Sequence, residues 1–390
     1  MSRTTWTLCD VDADVSLERL SLGPQDIGGQ PGNWSVTKRT LRSGIRDGVE
    51  VVEIDNGRFR CTAVPTRGMG LWRASCRDVQ LGWKSPVRGP VHPAFVPVWE
   101  PSGIGWLRGF DELLVRCGLE NNGAPEFLPN GVLRYPLHGR LANLPAHKVE
   151  LTVDGDSGEI TLVGVVDESR LFGAKLRLTT TLRTKFDQPG VTIVDEVTNL
   201  SAEPGSMELF YHINFGQPLI AQGASVLLPI ATMAPRDAAA AAVMPHWNVY
   251  GPETPGSAEA VFFIEPASDA EGDTRALLRS ATGDRGVSIH FNTRQMPRFT
   301  LWKNQQAAAD GYVTGLEPGI NFPNCRSFEE AHGRVAALAP GETRRFQLAI
   351  EAHDTAEAVA DAERAVAAIQ ARVAPEVHLK PDPHWSPAGS

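Results

Sequence analysis

The sequence predicts an all-β fold of sandwich or barrel type with a single C-terminal helix. Three observations carry that expectation. Short apolar runs alternate with period two, as in Lys175-Leu176-Arg177-Leu178-Thr179 and, more loosely, Thr192 to Thr198. Thirty-seven glycines and 29 prolines punctuate these runs throughout, which favours many short strands over βαβ units. Only one long segment carries a clear helical period.

In chain order, strands are expected at Val51 to Ile54, Phe59 to Val64, Lys148 to Val153, Glu159 to Val166, Ala174 to Arg183 and Val191 to Thr198. More follow at Met207 to Ile213, Val261 to Glu265, Ala276 to Ser280, Val287 to Asn292, Arg298 to Lys303 and Arg344 to Ala349. The stretch Gly109 to Leu114 reads as the opening of a short helix, and Ala238 to Val243 as an alanine-rich connector. The clear helix is Thr355 to Val373, with Val359, Ala362, Val366 and Ile369 on one face. Asp354 is its expected N-cap, with Glu357 three positions on. The tail from Pro375 to Ser390 is rich in proline and reads as an arm on the surface or on a partner subunit, which leaves room for a homo-oligomer.

Composition excludes several classes. With 42% hydrophobic and 21% charged residues the chain is not globally disordered. A net charge of −9 and no Lys/Arg-rich stripe argue against a nucleic-acid partner. No apolar run reaches the ~18–20 residues of a membrane span. The first residues carry no secretory pattern, so a cytoplasmic location is expected. Five scattered cysteines form no C-x-x-C pair and read as reduced, buried thiols.

Three segments place titratable residues where core strands or their edges belong: Tyr135 to Arg140, Glu208 to Gly216, and Gly315 to Pro323. In the second, strand alternation puts Glu208, Phe210, His212 and Asn214 on one face and Leu209, Tyr211, Ile213 and Phe215 on the other. The first set suits the lining of a polar cleft or the wet side of an edge strand. His138 precedes Gly139, where the backbone can turn sharply or approach a ligand. Glu317 is driven toward extended geometry by Pro318.

Together these segments resemble the galactose mutarotase (aldose 1-epimerase) superfamily. The resemblance lies in Leu137-His138-Gly139, Tyr211-His212-Ile213-Asn214-Phe215-Gly216 and Leu316-Glu317-Pro318, with 74 positions between the histidines and 105 from His212 to Glu317. Pro65-Thr66-Arg67-Gly68-Met69 and Trp302-Lys303-Asn304 are similar to a bacterial aldose-1-epimerase-like subfamily of uncertain function. The similarity spans roughly residues 35–352, dividing the chain into an N-terminal segment (1–34), a mutarotase-like part (35–352) and a C-terminal helix and tail (353–390).

The resemblance implies a β-supersandwich with an open groove for a small-molecule carbohydrate. It implies that Glu317 is the general base, His212 the general acid and His138 a second histidine that holds or polarises the ring oxygen. No cofactor is needed, because the reaction moves two protons and no electrons. Arg67, Arg108, Asn214, Trp302 and Lys303 are the expected substrate-binding residues. Glu100, Trp106, Asp111, Asn121 and Asn122 are weaker pocket candidates, and Trp72, Trp83, Trp99 and Trp247 further stacking candidates. The family's sugar-binding aspartate has no matching motif, and its segment, about Ala221 to Arg285, is divergent. Two rivals stand beside this expectation. In one, His138, Glu208, His212 and Glu317 hold a divalent metal ion for an isomerase or lyase; in the other the protein binds carbohydrate without turnover.

Overall fold

The structure is a computed structural model that describes residues 3–28 and 32–389; Met1, Ser2, 29–31 and Ser390 lie outside the described residues. It is a β-supersandwich of a ten-stranded and a fourteen-stranded sheet, with one substantial helix. Among the described residues every ladder is antiparallel except the pairing of Ile230–Pro235 with Glu376–Val377.

The ten-stranded sheet shows why alternation was informative. Glu159–Ser169 and Lys175–Lys185 alternate buried and half-exposed residues along most of their length. Their inward side chains, Ile160, Leu162, Val166, Leu176, Leu178 and Leu182, meet Val52, Ile54, Leu71, Tyr211, Ile213 and Leu316 of the facing sheet in one core. The N-terminal segment joins this sandwich: Arg3–Asp10 pairs with Lys148–Asp154, and Leu20–Leu22 pairs with Ser35–Thr40.

Three local expectations are corrected. Gly109 to Leu114 does not open a helix; Gly105–Gly109 is a 3-10 turn that ends there, and Leu114–Leu119 is a fully buried strand. Ala238–Ala242 is a one-turn helix capped by Asp237, whose side chain accepts from the Ala240 N–H. The long helix runs Ala356–Gln370 with Thr355, not Asp354, as its N-cap. Asp354 instead pairs with Arg58 at 3.1 Å and Arg77 at 3.2 Å. The helix buries the expected residues Val359, Ala362, Val366 and Ile369, and Ala362 and Val366 pack on Leu277 of the ten-stranded sheet.

The fourteen-stranded sheet positions the site. Its central strand, Gly205–Phe215, is bonded on one side to Leu114–Leu119 and on the other to Val313–Gly319. This strand is covered on both faces. Leu209, Tyr211, Ile213 and Phe215 enter the inter-sheet core, whereas Phe210 joins Trp106, Phe110, Val115 and Cys117 in a second cluster on the outer face. The face that alternation gives to Glu208, Phe210, His212 and Asn214 is buried and not a solvated sheet edge, and His212 on it lines a cleft.

Candidate active site

Sheet register brings the residues together. Phe210 pairs with Gly319 and Ile213 with Leu316, so the antiparallel count sets Glu317 opposite His212. On the next strand Thr300 pairs with Glu317, and Trp302 with Gly315. Residues remote in sequence thus share one face of three adjacent strands. His138 arrives from a loop: its backbone N–H donates to the Gly123 carbonyl at 2.8 Å, and its φ of 58° is followed by 75° at Gly139. A Cβ at Gly139 would lie 2.1 Å from the Asn121 carbonyl oxygen, so only glycine permits this approach.

The result is a cleft of about 520 Å³ whose floor includes His138, His212 and Glu317. The imidazole centroids of His138 and His212 are 5.5 Å apart, and His212 Nδ1 is 3.1 Å from Glu317 Oε1. Trp83, Trp106, Phe110 and Trp302 form aromatic walls. Trp106 stands 4.6 Å from the His138 ring and Trp302 5.3 Å from that of His212.

Hydrogen bonds determine the tautomers. Asn214 donates its amide to the carbonyls of Glu112 (3.0 Å) and His212 (3.1 Å), so its Oδ1 is the atom 2.6 Å from His212 Nδ1. His212 Nδ1–H therefore donates to Asn214, and Nε2 is left for the cleft. His138 Nδ1 lies 2.9 Å from the Asn122 carbonyl, which can only accept, so its Nε2 is likewise free. Glu317 Oε1, though close to His212 Nδ1, makes no hydrogen bond among the described residues and is buried.

Burial governs the protonation states. It pushes His138 down to about 4, with the Asn122 carbonyl opposing. Burial, reinforced by the neighbouring His138, holds His212 well below the ordinary histidine range. Burial, reinforced by Glu259 and opposed by Arg236, holds Glu317 well above the ordinary carboxylate range. Burial thus favours the neutral form of both imidazoles and of the Glu317 carboxyl.

Several expected binding residues serve elsewhere. Arg67 is buried, paired with Glu112, and donates to the Val91 carbonyl (3.0 Å), Asn143 Oδ1 (2.8 Å) and the Gly109 carbonyl (3.0 Å), so it braces the 3-10 turn and does not line the cleft. Arg108 points outward with 66% of its side chain exposed and pairs with Glu100. Lys303 faces away from Trp302 and donates to the carbonyls of His246, Trp247 and Val249 at 2.7–3.0 Å. Asn214 orients His212 and does not line the cleft. Of the expected binders, Trp302 alone lines it. Trp72, Trp99 and Trp247 are also outside the lining, whereas Trp83 and Trp106 are in it.

Glu208 belongs to a supporting network. Its Oε2 accepts the Asn122 N–H at 3.0 Å and its Oε1 the Asn321 amide at 2.8 Å, which ties down the turn whose carbonyl orients His138. Burial, opposed by Arg326, pushes this carboxyl up to about 8. Glu208 is thus engaged by the Asn122 N–H and the Asn321 amide, and among the described residues no group of three or more His, Cys, Asp or Glu arranged to hold a metal ion is found.

Arg236 and Glu259 are charged cleft residues that sequence reasoning does not single out. Both lie in the divergent segment; Arg236 Nη2 donates to Glu259 Oε1 at 2.8 Å, and Trp302 Nε1 donates to Glu259 Oε2 at 2.7 Å. The available signal was the position of Glu259, just before the strand Ala260–Pro266 that neighbours Arg298–Asn304.

Comparison with known proteins agrees with this architecture. The profile of a family described as a domain of unknown function (DUF4432) matches residues 46–352, and the chain belongs to that family. A crystal structure from Klebsiella pneumoniae, of a protein named provisionally as an aldose 1-epimerase, is 33% identical, with 97% of this chain and 99% of that chain covered and a TM-score of 0.94. A galactose mutarotase-like protein from Clostridium acetobutylicum is 14% identical over 81% of this chain and 98% of that one, with a TM-score of 0.55. Galactose 1-epimerase from Lactobacillus acidophilus is 11% identical over 82% and 99%, with a TM-score of 0.54. These last two share the fold. No curated protein matches. No helix among the described residues is long and apolar enough to cross a membrane.

Proposed function

We propose that the protein is a carbohydrate epimerase that interconverts the anomers of an aldose or modified sugar, with Glu317 and His212 as its proton-transfer pair. The observation that carries this is the pairing of a buried, unbonded Glu317 Oε1 with a tautomer-fixed His212 on the floor of an aromatic-walled cleft. The 33% identical protein named provisionally as an aldose 1-epimerase supports the same reaction class.

In this reading the Glu317 carboxylate takes the proton of the anomeric hydroxyl while imidazolium Nε2–H of His212 protonates the ring oxygen. The C1–O5 bond breaks and the C1 carbonyl forms. Rotation about C1–C2 and reversal of both transfers close the other anomer, with no net proton uptake. The neutral pair favoured by burial is the state produced at ring opening; the ionised pair that starts the cycle differs from it by the two transferred protons. His138, held neutral with Nε2 free, accepts from a sugar hydroxyl and does not donate to the ring oxygen. Trp302 offers a face for the sugar's C–H edges, and the buried Trp106 packs against His138.

A thermal-shift screen over free aldoses, sugar phosphates and sugar acids tests the binding component. A sugar at 100 Kd should stabilise the fold by about 2.7 kcal/mol through mass action. Anomerisation of each binder is then followed by NMR with and without chelator. Activity that survives chelation supports the proposal; activity lost to chelator and restored by Mn²⁺ or Zn²⁺ would transfer it to a metal-dependent isomerase or lyase. Binding without turnover by the wild type would leave a carbohydrate-binding protein.

A further inference from the structure

The family match ends at residue 352, yet the chain continues behind the cleft. After the helix Ala356–Gln370, Glu376–Val377 pairs in parallel with Thr232 and Met233, on the strand that leads into Arg236. The His378 N–H donates to the Met233 carbonyl at 2.8 Å. The segment then turns: the Asp382 carbonyl accepts from the N–H groups of Trp385 (3.0 Å) and Ser386 (2.9 Å).

That turn makes contacts behind two cleft-lining residues. Ser386, buried, donates its hydroxyl to the Arg236 carbonyl at 2.6 Å. The Asn324 amide donates to the Trp385 carbonyl at 2.8 Å, beside Pro323 of the cleft. The Trp385 ring lies 5.2 Å from that of Phe322 and packs on the Val261, Phe263 and Phe322 cluster. Trp302 packs on the same cluster. The wall therefore has a continuous chain of support, from Ser386 to the Arg236 backbone, through its guanidinium to Glu259, and from Glu259 to the Trp302 indole.

We infer that residues 376–389 are a positioning element of the cleft: they hold the Arg236–Glu259–Trp302 wall in register with the His212–Glu317 floor and so set ligand affinity. A tail that only covered apolar surface would need neither the buried hydroxyl bond from Ser386 to the backbone carbonyl of Arg236 nor the amide bond by which Asn324, next to Pro323 of the cleft, holds the tail's own Trp385 carbonyl. The effect on affinity rests on the carbohydrate function proposed above; the effect on the wall does not. Proton transfer is left to His212 and Glu317, so the tail should act on binding and not on the acid–base step.

The experiment separates these two levels. In the full chain, the indole ¹H–¹⁵N resonance of Trp302, assigned through Trp302→Phe, reports the Glu259 bond without any ligand. It should move in Trp385→Ala and in Ser386→Ala, and return in Trp385→Phe, which keeps an aromatic ring on Phe322. With the best binder from D-glucose, D-galactose, D-xylose and L-arabinose, Kd and KM should rise by about tenfold while kcat and the pH profile stay in place, the signature of lost uniform binding. Ser386→Ala keeps the test open should Trp385→Ala fail to fold. A Trp302 resonance that moves in a protein whose wild type binds no sugar upholds the tail's role and removes the carbohydrate reading. Folded variants with an unmoved Trp302 resonance, or with unchanged Kd for a sugar that the wild type binds, overturn the inference.

Discussion

Gly315 lies against the carboxyl group of Glu317, so that a Cβ on Gly315 would stand 2.0 Å from Oε1. Both residues face the cleft side of the strand Val313–Gly319, and the absent side chain makes the space in which the carboxyl rests. Gly315→Ala can be accommodated only by turning Glu317 away. The variant should fold, since the obstruction is a side-chain end and not backbone, yet lose activity to nearly the extent of a Glu317 substitution. Anomerisation rates beside a thermal melt check this.

His212 depends on Asn214 for its tautomer. Asn214→Asp places a charge beside Nδ1 and should raise the imidazole's affinity for a proton, because an opposite charge at hydrogen-bond distance favours the charged form. The limb of the kcat/KM profile that reports the pair should then move to higher pH. Asn214→Leu removes the acceptor and should lower kcat without that displacement. An unmoved profile in Asn214→Asp would remove His212 from the proton-transfer pair.

Stability should fall as the medium becomes alkaline. Glu208 is pushed up to about 8 from a carboxyl's ordinary 4.5, so the folded state binds this proton more tightly than the unfolded chain. Its contribution is fully present below pH 4.5 and is lost as pH rises toward about 8. Glu317, shifted in the same direction, adds to the trend. Glu208→Gln, which keeps the shape and one acceptor, should flatten the slope of melting temperature against pH over that window. His138, pushed down to about 4, opposes this trend in the acidic part of the window: its contribution is present above pH 6.5 and lost as pH falls toward 4, so the decline from Glu208 shows most clearly between pH 6.5 and about 8.

Arg67 and Arg108 should separate cleanly. Arg67→Ala breaks a buried pair with Glu112 and three further hydrogen bonds, and removing one partner of a buried pair typically costs ~3–5 kcal/mol. Arg108→Ala removes an exposed pair with Glu100, worth at most ~1 kcal/mol. Chemical denaturation measures both. Sugar affinity in Arg108→Ala should match the wild type.

Much of this molecule was legible in its residues. Period-two alternation located strands such as Glu159–Ser169 to within a few residues, because one side of each must enter the core. The same alternation placed His212 and Phe210 on one face. The long helix announces its buried stripe, but its cap is Thr355, one residue after the expected Asp354, whose carboxylate is engaged by two arginines. The strand Leu114–Leu119 was missed because it is buried throughout and does not alternate. That Arg67 and Lys303 bond inside the fold and not to the cleft was not legible for a related reason: a charged residue in a short motif looks the same whether it meets a ligand or caps backbone carbonyls. Arg236 and Glu259 were invisible because their contact to the site depends on strand order, which places Ala260–Pro266 beside Arg298–Asn304 across a long stretch of chain.

The role of Glu317 as base is read in the rate of anomer exchange for a bound aldose, measured by NMR in the wild type and in Glu317→Gln. Glutamine preserves the shape of the side chain but cannot take the anomeric proton. Exchange should slow by ~10²–10⁴-fold, the usual contribution of a general base, with sugar affinity changed only a few-fold. A Glu317→Gln protein that exchanges anomers at the wild-type rate would contradict that role.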